Sequence, residues 1–168
     1  LIGRNRAMWL GINLITAVLA SLVIGLFDAT IQSFVALAVL MPIVASMGGN
    51  AGTQTLTVTV RQMALGEIDY QDAKKIIYKE VMISVVNGLL FAAVIGVVAY
   101  LWFNIPLLGV VIAISMIINL FSAGFFGAVI PIVLQKKGID PAIGSTVILT
   151  TVTDVVGFFS FLGLATLI

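Results

Sequence analysis

The sequence contains no cysteine and no histidine, and only 9% of its 168 residues are charged. The first two absences exclude disulfide frameworks, thiol nucleophiles, imidazole bases and the zinc or haem sites that depend on those side chains. The scarcity of charge excludes a water-soluble domain of this size, whose surface needs many more charged residues. Metal chemistry must therefore use oxygen ligands. The net charge of +1 says nothing about nucleic acid, and we expect no nucleic-acid partner.

What is present is strongly apolar, with 61% hydrophobic residues and a mean hydropathy of +1.25. The charges gather into short stretches between apolar runs that are long enough to cross a bilayer. We therefore predict an all-α integral membrane domain with five transmembrane helices per subunit. The predicted spans are 8–27, 33–60, 81–103, 107–134 and 141–167, with a cytoplasmic loop or interfacial helix at 61–80.

Proline and glycine mark where these spans bend and end. Pro42 and the glycines that follow it predict that the second span is kinked or partly unwound. Gly138 predicts the end of the fourth helix. Asp140 and Pro141 are typical of the N-cap and first residue of the fifth span.

The basic residues predict the orientation of the five spans. All eight fall on one side of the membrane in this topology, and the positive-inside rule makes that side cytoplasmic. The N-terminus is then inside and the C-terminus outside a cell membrane. Because the chain has neither an initiator Met nor a signal-peptide layout, we expect a domain of a longer protein. The basic residues are Arg4, Arg6, Arg61, Lys74, Lys75, Lys79, Lys136 and Lys137.

Asp154 is a carboxylate near the middle of the fifth predicted span. A charge at that depth costs roughly 2.5–3.5 kcal/mol on insertion scales, so it should face protein or water. Thr146, Thr150 and Gly157 lie at offsets of −8, −4 and +3 from it, on the same helical face. This stripe favours an ion or proton site, whereas the alternative is a protonated aspartate that only hydrogen-bonds within the bundle.

A second unusual segment, GGNAGTQT, runs from Gly48 to Thr55 inside the second span. Gly48 and Gly52 form a GxxxG pair, which can be simply a close helix contact. Packing alone does not explain the primary amides of Asn50 and Gln54, which need partners in hydrocarbon. Polar groups at membrane depth are tolerated mainly where they line a cavity, so we interpret this segment as a pore wall. Ser115, Asn119 and Ser122 in the fourth span, and Ser84 and Asn87 in the third, are interpreted as helix-packing contacts instead.

Three segments together resemble the MgtE family of magnesium channels. They are 42–68 (PIVASMGGNAGTQTLTVTVRQMALGEI), 119–131 (NLFSAGFFGAVIP) and 140–157 (DPAIGSTVILTTVTDVVG). The resemblance implies a homodimer in membrane lipid, with a pore on the two-fold axis lined by the second and fifth helices of both copies. It also implies upstream cytoplasmic acidic and CBS regulatory domains, which a connecting plug helix joins to the pore domain. Residues 1–7 would be the end of that helix, and residues 8–168 the pore domain.

The resemblance further implies which residues meet the ion. Asp154 matches the family's pore aspartate, Thr150 lies where oxygens near that aspartate contribute, and Asn50 matches an asparagine of the second helix. These three are the predicted ligands of the transported Mg²⁺. The other predicted pore-lining residues are Gly48, Gly49, Gly52, Thr53, Gln54, Thr146 and Gly157.

Three other functions remain open at this point. An ion-coupled carrier driven by protons or sodium is also built from one intramembrane carboxylate and a broken helix. An intramembrane enzyme is disfavoured, because there is no histidine and an aspartyl protease needs two carboxylates in one site. A structural scaffold would need Asp154 only for packing. We therefore expect a transporter, and not an enzyme.

Overall fold

The computed structural model is an all-α membrane bundle that describes residues 1–66, 73–139 and 141–167. Within those residues five helices are long and apolar enough to cross a membrane, as the hydropathy pattern predicted. A further helix of 6 residues joins the first two spans. The helices are α1 (Ile2–Gly25), α2 (Asp28–Ser33), α3 (Ala36–Ala64), α4 (Ala73–Phe103), α5 (Pro106–Lys136) and α6 (Pro141–Thr166).

Several helices extend beyond the predicted spans, because charge limits how deep a residue lies and not whether it is helical. Residues 2–7 continue without a break into the rest of α1. The first two turns of α4 carry the three lysines of the polar segment 61–80. From Ala73 onward this segment is therefore helical, which is one of its two predicted alternatives, and lysine is a good helix former. Residues 67–72 of that predicted segment lie outside the described residues, as does Asp140, the predicted N-cap of α6.

The end of α5 follows the glycine signal in the sequence. Gly138 has a φ of +76°, in the left-handed region that glycine adopts without strain. The Gly138 amide donates to the carbonyl of Gln135 at 3.1 Å, and the Ile139 amide donates to that of Leu134 at 2.9 Å. This pair of bonds is a Schellman motif, so the predicted helix end is confirmed.

The α5 helix is the centre of the bundle. It packs against α3, α4 and α6, whereas α1 packs against α6. The core between them is apolar and fully buried, which leaves the outer faces of α1 and α4 for lipid. Its most buried large side chains include Leu37, Leu40, Ile112, Met116, Phe161 and Leu162.

The α3 helix is continuous from Ala36 to Ala64, so of the two predicted alternatives, a kinked or a partly unwound span, the unwinding is wrong. Close packing holds the glycine-rich part of the helix in place. A Cβ atom at Gly52 would lie 2.9 Å from Cδ2 of Leu149 on α6. On the other side, a Cβ at Gly127 of α5 would lie 2.9 Å from the Gly52 carbonyl oxygen. Contacts with α5 and α6 therefore stabilise the glycine-rich segment of α3 in its helical conformation.

Candidate functional site

One face of α3 is polar and exposed on the surface of the subunit. Ser46, Asn50, Thr53 and Thr57 recur every three or four residues, and all four are exposed. The opposite face, which includes Leu40 and other apolar or small residues, is buried against the bundle. A membrane-spanning helix with this pattern has its oxygen-bearing side chains on the outside of the subunit. We call these four residues the α3 polar stripe.

Hydrogen bonds along the α3 polar stripe run back along the helix itself. The Thr53 hydroxyl donates to the Gly49 carbonyl at 2.8 Å, and the Thr57 hydroxyl donates to the Thr53 carbonyl at 2.8 Å. The Asn50 amide donates to the Ser46 hydroxyl at 3.3 Å. Because the hydroxyl hydrogens of Thr53 and Thr57 are used within the helix, the lone pairs of these hydroxyls and the Asn50 carbonyl oxygen remain available as acceptors. The stripe therefore offers neutral oxygen acceptors, which suit a hydrated cation.

The carboxylate of Asp154 lies on α6, where it is half-buried. Nearby threonine hydroxyls are directed to the backbone of their own helix: that of Thr150 donates to the Thr146 carbonyl at 2.8 Å, and that of Thr153 to the Thr150 carbonyl at 3.1 Å. Their donors are thus not used on the Asp154 carboxylate. Among the described residues there is no cluster of three or more acidic side chains that could hold a metal. Within the described part of α6, Asp154 is the one acidic side chain.

The contacts between α3 and α6 fix the relative depth of the predicted ligands. A Cβ at Gly157 would lie 3.0 Å from Cγ1 of Val44, and Leu149 contacts Gly52 in the same way. Eight residues toward the C-terminus of α3 thus correspond to eight residues toward the N-terminus of α6, so the two helices are antiparallel. This register places Asp154 level with residue 47 of α3. Asn50 is three residues further on, about 4.5 Å along the axis, and Thr150 lies at nearly the same level as Asn50. The three predicted ligands share one turn of depth.

The predicted pore-lining residues divide into two groups. Gly49 is half-buried with open space at its Cβ position, and Thr53 is exposed, so both are placed on or beside the polar stripe. Gly48, Gly52 and Gly157 are buried in contacts between helices of the same subunit. These three glycines bring the helices together and do not form an exposed surface.

Gln54 and Thr146 lie in separate grooves at the edges of the site. Gln54 lines a cavity of about 320 Å³ together with Glu80, Ser84 and Asn87 of α4. Thr146 and Thr150 line another, of about 370 Å³, with side chains of α1 that include Arg6, Trp9 and Asn13.

Sequence reasoning missed two members of the polar stripe, Ser46 and Thr57. The signal was present, because they continue the spacing of Asn50 and Thr53 by one turn in each direction. The glycine-rich segment between Ser46 and Thr57 obscures this spacing in the sequence. The packing role predicted for Ser115, Asn119 and Ser122 is supported, since all three are buried.

Comparison with known proteins identifies the family to which the chain belongs. A family model described as "MgtE: Divalent cation transporter" matches residues 41–164. The chain is 34% identical to the magnesium transporter MgtE of Bacillus subtilis over 96% of its length, and 31% identical to that of Thermus thermophilus over 97%. The corresponding protein of Enterococcus faecalis is 29% identical over 97% of the chain. The chain spans about 36% of the length of each of these relatives. The chain therefore belongs to the MgtE family of divalent cation transporters.

Proposed function

We propose that this chain forms the membrane pore of a gradient-driven, divalent-cation-selective channel whose transported ion is Mg²⁺. The observation that carries the proposal is the α3 polar stripe, which is exposed on the subunit at the depth of Asp154. The hydroxyls of Thr53 and Thr57 are satisfied within the helix, but the primary amide of Asn50 would be costly in hydrocarbon, so the stripe needs water or protein beside it. A water-filled path along α3 and α6 meets that need.

Two copies of the chain complete the site in this proposal. One subunit supplies one carboxylate, and a two-fold axis beside α3 and α6 brings a second Asp154 into the same path. Without an ion the two carboxylates repel each other, whereas one divalent cation neutralises both. Preference for divalent over monovalent cations then follows from the count of charges.

Magnesium suits such a site because it sheds water reluctantly and prefers octahedral oxygen coordination. A hydrated ion contacts the carboxylates of Asp154 directly or through its waters. The oxygens of Asn50 and Thr150, at the same depth, accept hydrogen bonds from those waters. The stripe residues above and below provide further acceptors along the path.

The rest of the protein is proposed from the relatives. The relatives are longer than this chain, and we infer that regulatory domains lie in the cytoplasm upstream of α1. In the proposed orientation the basic flanks face the cytoplasm of a cell-membrane protein, with the N-terminus inside and the C-terminus outside. The continuous α1 then transmits movements of those domains to α6, against which it packs.

Uptake of Mg²⁺ into proteoliposomes tests the proposal. The reconstituted chain receives an inward Mg²⁺ gradient, and an internal indicator records entry. We expect Asp154→Asn to lower the uptake rate by roughly tenfold or more, because one lost charge per subunit removes both carboxylates from the site. Asp28→Asn is the matched control: Asp28 is exposed in α2, where its carboxylate accepts a hydrogen bond from Gln32 at 3.0 Å.

One result would contradict the ion site at Asp154, and another would contradict the channel mechanism. Equal uptake by wild type and Asp154→Asn would make Asp154 structural. Uptake that requires a proton or sodium gradient, and stops without one, would instead support the ion-coupled carrier.

A further inference from the structure

Asn119 of α5 lies where three helices meet. Its side chain is completely buried, and its Nδ2 donates a hydrogen bond to the Val44 carbonyl oxygen of α3 at 2.9 Å. This bond joins two different spans, unlike the threonine bonds of the polar stripe. In an apolar bundle such a bond is directional, so it fixes both the distance and the rotation of α3 against α5.

Two glycines make the space that the Asn119 amide fills. A Cβ atom at Gly48 of α3 would overlap Nδ2 and would lie 2.8 Å from Cγ of Asn119. A Cβ at Gly157 of α6 would lie 2.9 Å from the same Nδ2. The amide is therefore held between α3 and α6, and no larger residue at either glycine leaves it in place. Asn119 sets the gap between these two helices.

The position of this contact relates it to the proposed ion site. Gly157 is one turn from Asp154 on α6, and Gly48 is two residues from Asn50 on α3. Asn119 itself is fully buried, with no exposed surface through which to meet a hydrated ion. Any effect that it has on the ion is therefore indirect, through the separation of the two helices that carry the ligands.

The polar chemistry of Asn119 is not required for filling space. Its Oδ1 has no hydrogen-bond partner among the described residues, and a buried acceptor without a partner is unfavourable. A leucine of similar size would fill the same gap without that penalty. What leucine lacks is the donor that reaches Val44.

We propose that Asn119 is a positioning residue that fixes the spacing of α3 and α6 and thereby sets the affinity and selectivity of the divalent-cation path. The inference rests on the proposed function for its effect on ions. Its structural part, the spacing of the two helices, stands independently of transport.

The structural part is tested by distance measurements, for which the absence of cysteine from the chain is useful. Spin labels at Thr57→Cys on α3 and Thr146→Cys on α6 occupy exposed positions. Excess unlabelled chain isolates the distance within one subunit. We expect Asn119→Leu and Asn119→Ala to shift or broaden this distance distribution, whereas Ser115→Ala leaves it unchanged. Ser115 is the matched control, because it is equally buried in α5 but its hydroxyl donates to Val111 of its own helix. An unchanged distribution in both Asn119 variants would overturn the inference, whatever the transport result.

The functional part is tested by uptake kinetics with Ca²⁺ as competitor. Asn119→Leu should raise the half-saturating Mg²⁺ concentration about three- to tenfold and weaken discrimination against Ca²⁺, with a smaller change in maximal rate. A loss confined to maximal rate, or to the amount of folded protein, would mean that Asn119 is only structural. Failure of the wild-type chain to transport would refute the proposed function, while the distance measurement would still decide the spacing claim.

Coupling between Gly48 and Asn119 provides a second variant should one substitution prevent folding. Gly48→Ala alone should disturb the spacing, because its new methyl group collides with the amide. Combined with Asn119→Ala it should be much less disruptive than the sum of the two single changes, since the methyl then has space. Gly49→Ala is the control for the spacing, because a Cβ atom at Gly49 of the same helix meets open space. Strict additivity would contradict the proposed contact.

Discussion

The helices α3 and α5 both carry polar side chains through a membrane, yet they place them oppositely. On α5, Ser115, Asn119 and Ser122 are at most 5% exposed. On α3, Asn50 and Thr53 are exposed on the subunit surface. On α5, Asn119 joins two helices from within through its bond to Val44, whereas Ser115 bonds to its own helix. The polar stripe of α3 faces outward, and in the proposed function it lies beside water or protein and not beside lipid.

The difference follows from the positions of the two helices in the bundle. The membrane-spanning helices are not equally covered: 61% of the most apolar window of α5 is buried, against 33% for α3 and 6% for α1. The central helix α5 has neighbours on three sides, so its polar side chains are buried inside the bundle. The α3 helix lies at the edge of the bundle, and one of its faces is not covered by other helices.

The largest expected effect comes from placing a positive charge on different outer faces. Thr53→Lys should abolish Mg²⁺ uptake by electrostatic repulsion while the protein still inserts and folds, because the stripe faces water in the proposed pore. Val86→Lys places the same charge on the exposed face of α4, which we assign to lipid. It should reduce insertion, at a cost of roughly 2.5–3.5 kcal/mol. Membrane yield and uptake per inserted protein are the measurements. Poor insertion of both variants alike would remove the distinction between the two faces.

The next effect concerns the contact between α3 and α5. Gly127→Ala forces its methyl group against the backbone of α3 and should lower stability by about 1–3 kcal/mol through overpacking. Gly49→Ala has open space and should be neutral or stabilising, since alanine is the better helix former. Thermal unfolding in detergent compares them. Similar stability of both variants would show that α3 and α5 are not closely packed.

A smaller, several-fold effect is expected from pH. Protons and Mg²⁺ compete for the Asp154 carboxylates, so affinity is full where these are ionised and decreases as the pH falls. The half-saturating Mg²⁺ concentration should rise from neutral to mildly acidic pH. Uptake titrations at the two pH values measure it, with Asp28→Asn expected to behave as wild type. Identical half-saturation at both would count against paired carboxylates.

The smallest effect is expected at a stripe hydroxyl. Thr57→Val keeps the shape of the side chain and removes a hydroxyl whose hydrogen already donates to Thr53 of the same helix. The bond to Thr53 and one outward acceptor are lost while the charge of the path is unchanged, so the uptake rate should change by less than about threefold. A change comparable with that of Asp154→Asn would mean that Thr57 contacts the ion directly.

The sequence was sufficient for some features because they depend on local chemistry. The five spans follow from hydropathy, and the end of α5 follows from Gly138. Charge was a poorer guide to the start of α4, since Lys74, Lys75 and Lys79 report depth and not backbone conformation.

Other features depend on contacts that no local pattern contains. Pro42 and the glycines of α3 predicted a kinked or partly unwound helix. Leu149 and Asn119 pack against two of those glycines, and the helix is not unwound. For the same reason Gly48 was assigned to a surface that it does not reach. The common depth of Asp154, Thr150 and Asn50 required the register of α3 against α6, which becomes visible only when the helices are packed.

Cysteine accessibility along α3 tests the central claim most directly, because the chain has no native cysteine to remove. Single cysteines at Asn50, Thr53 and Thr57 are exposed in liposomes to a membrane-impermeant thiol reagent, beside cysteines at Val86 on the lipid-assigned face of α4 and at Ser122 inside α5. The account predicts labelling of the three stripe positions, slower labelling at Asn50 when Mg²⁺ is present, and none at Val86 or Ser122. Stripe cysteines as unreactive as the one at Val86 would show that this face of α3 meets no water, and would contradict the ion path.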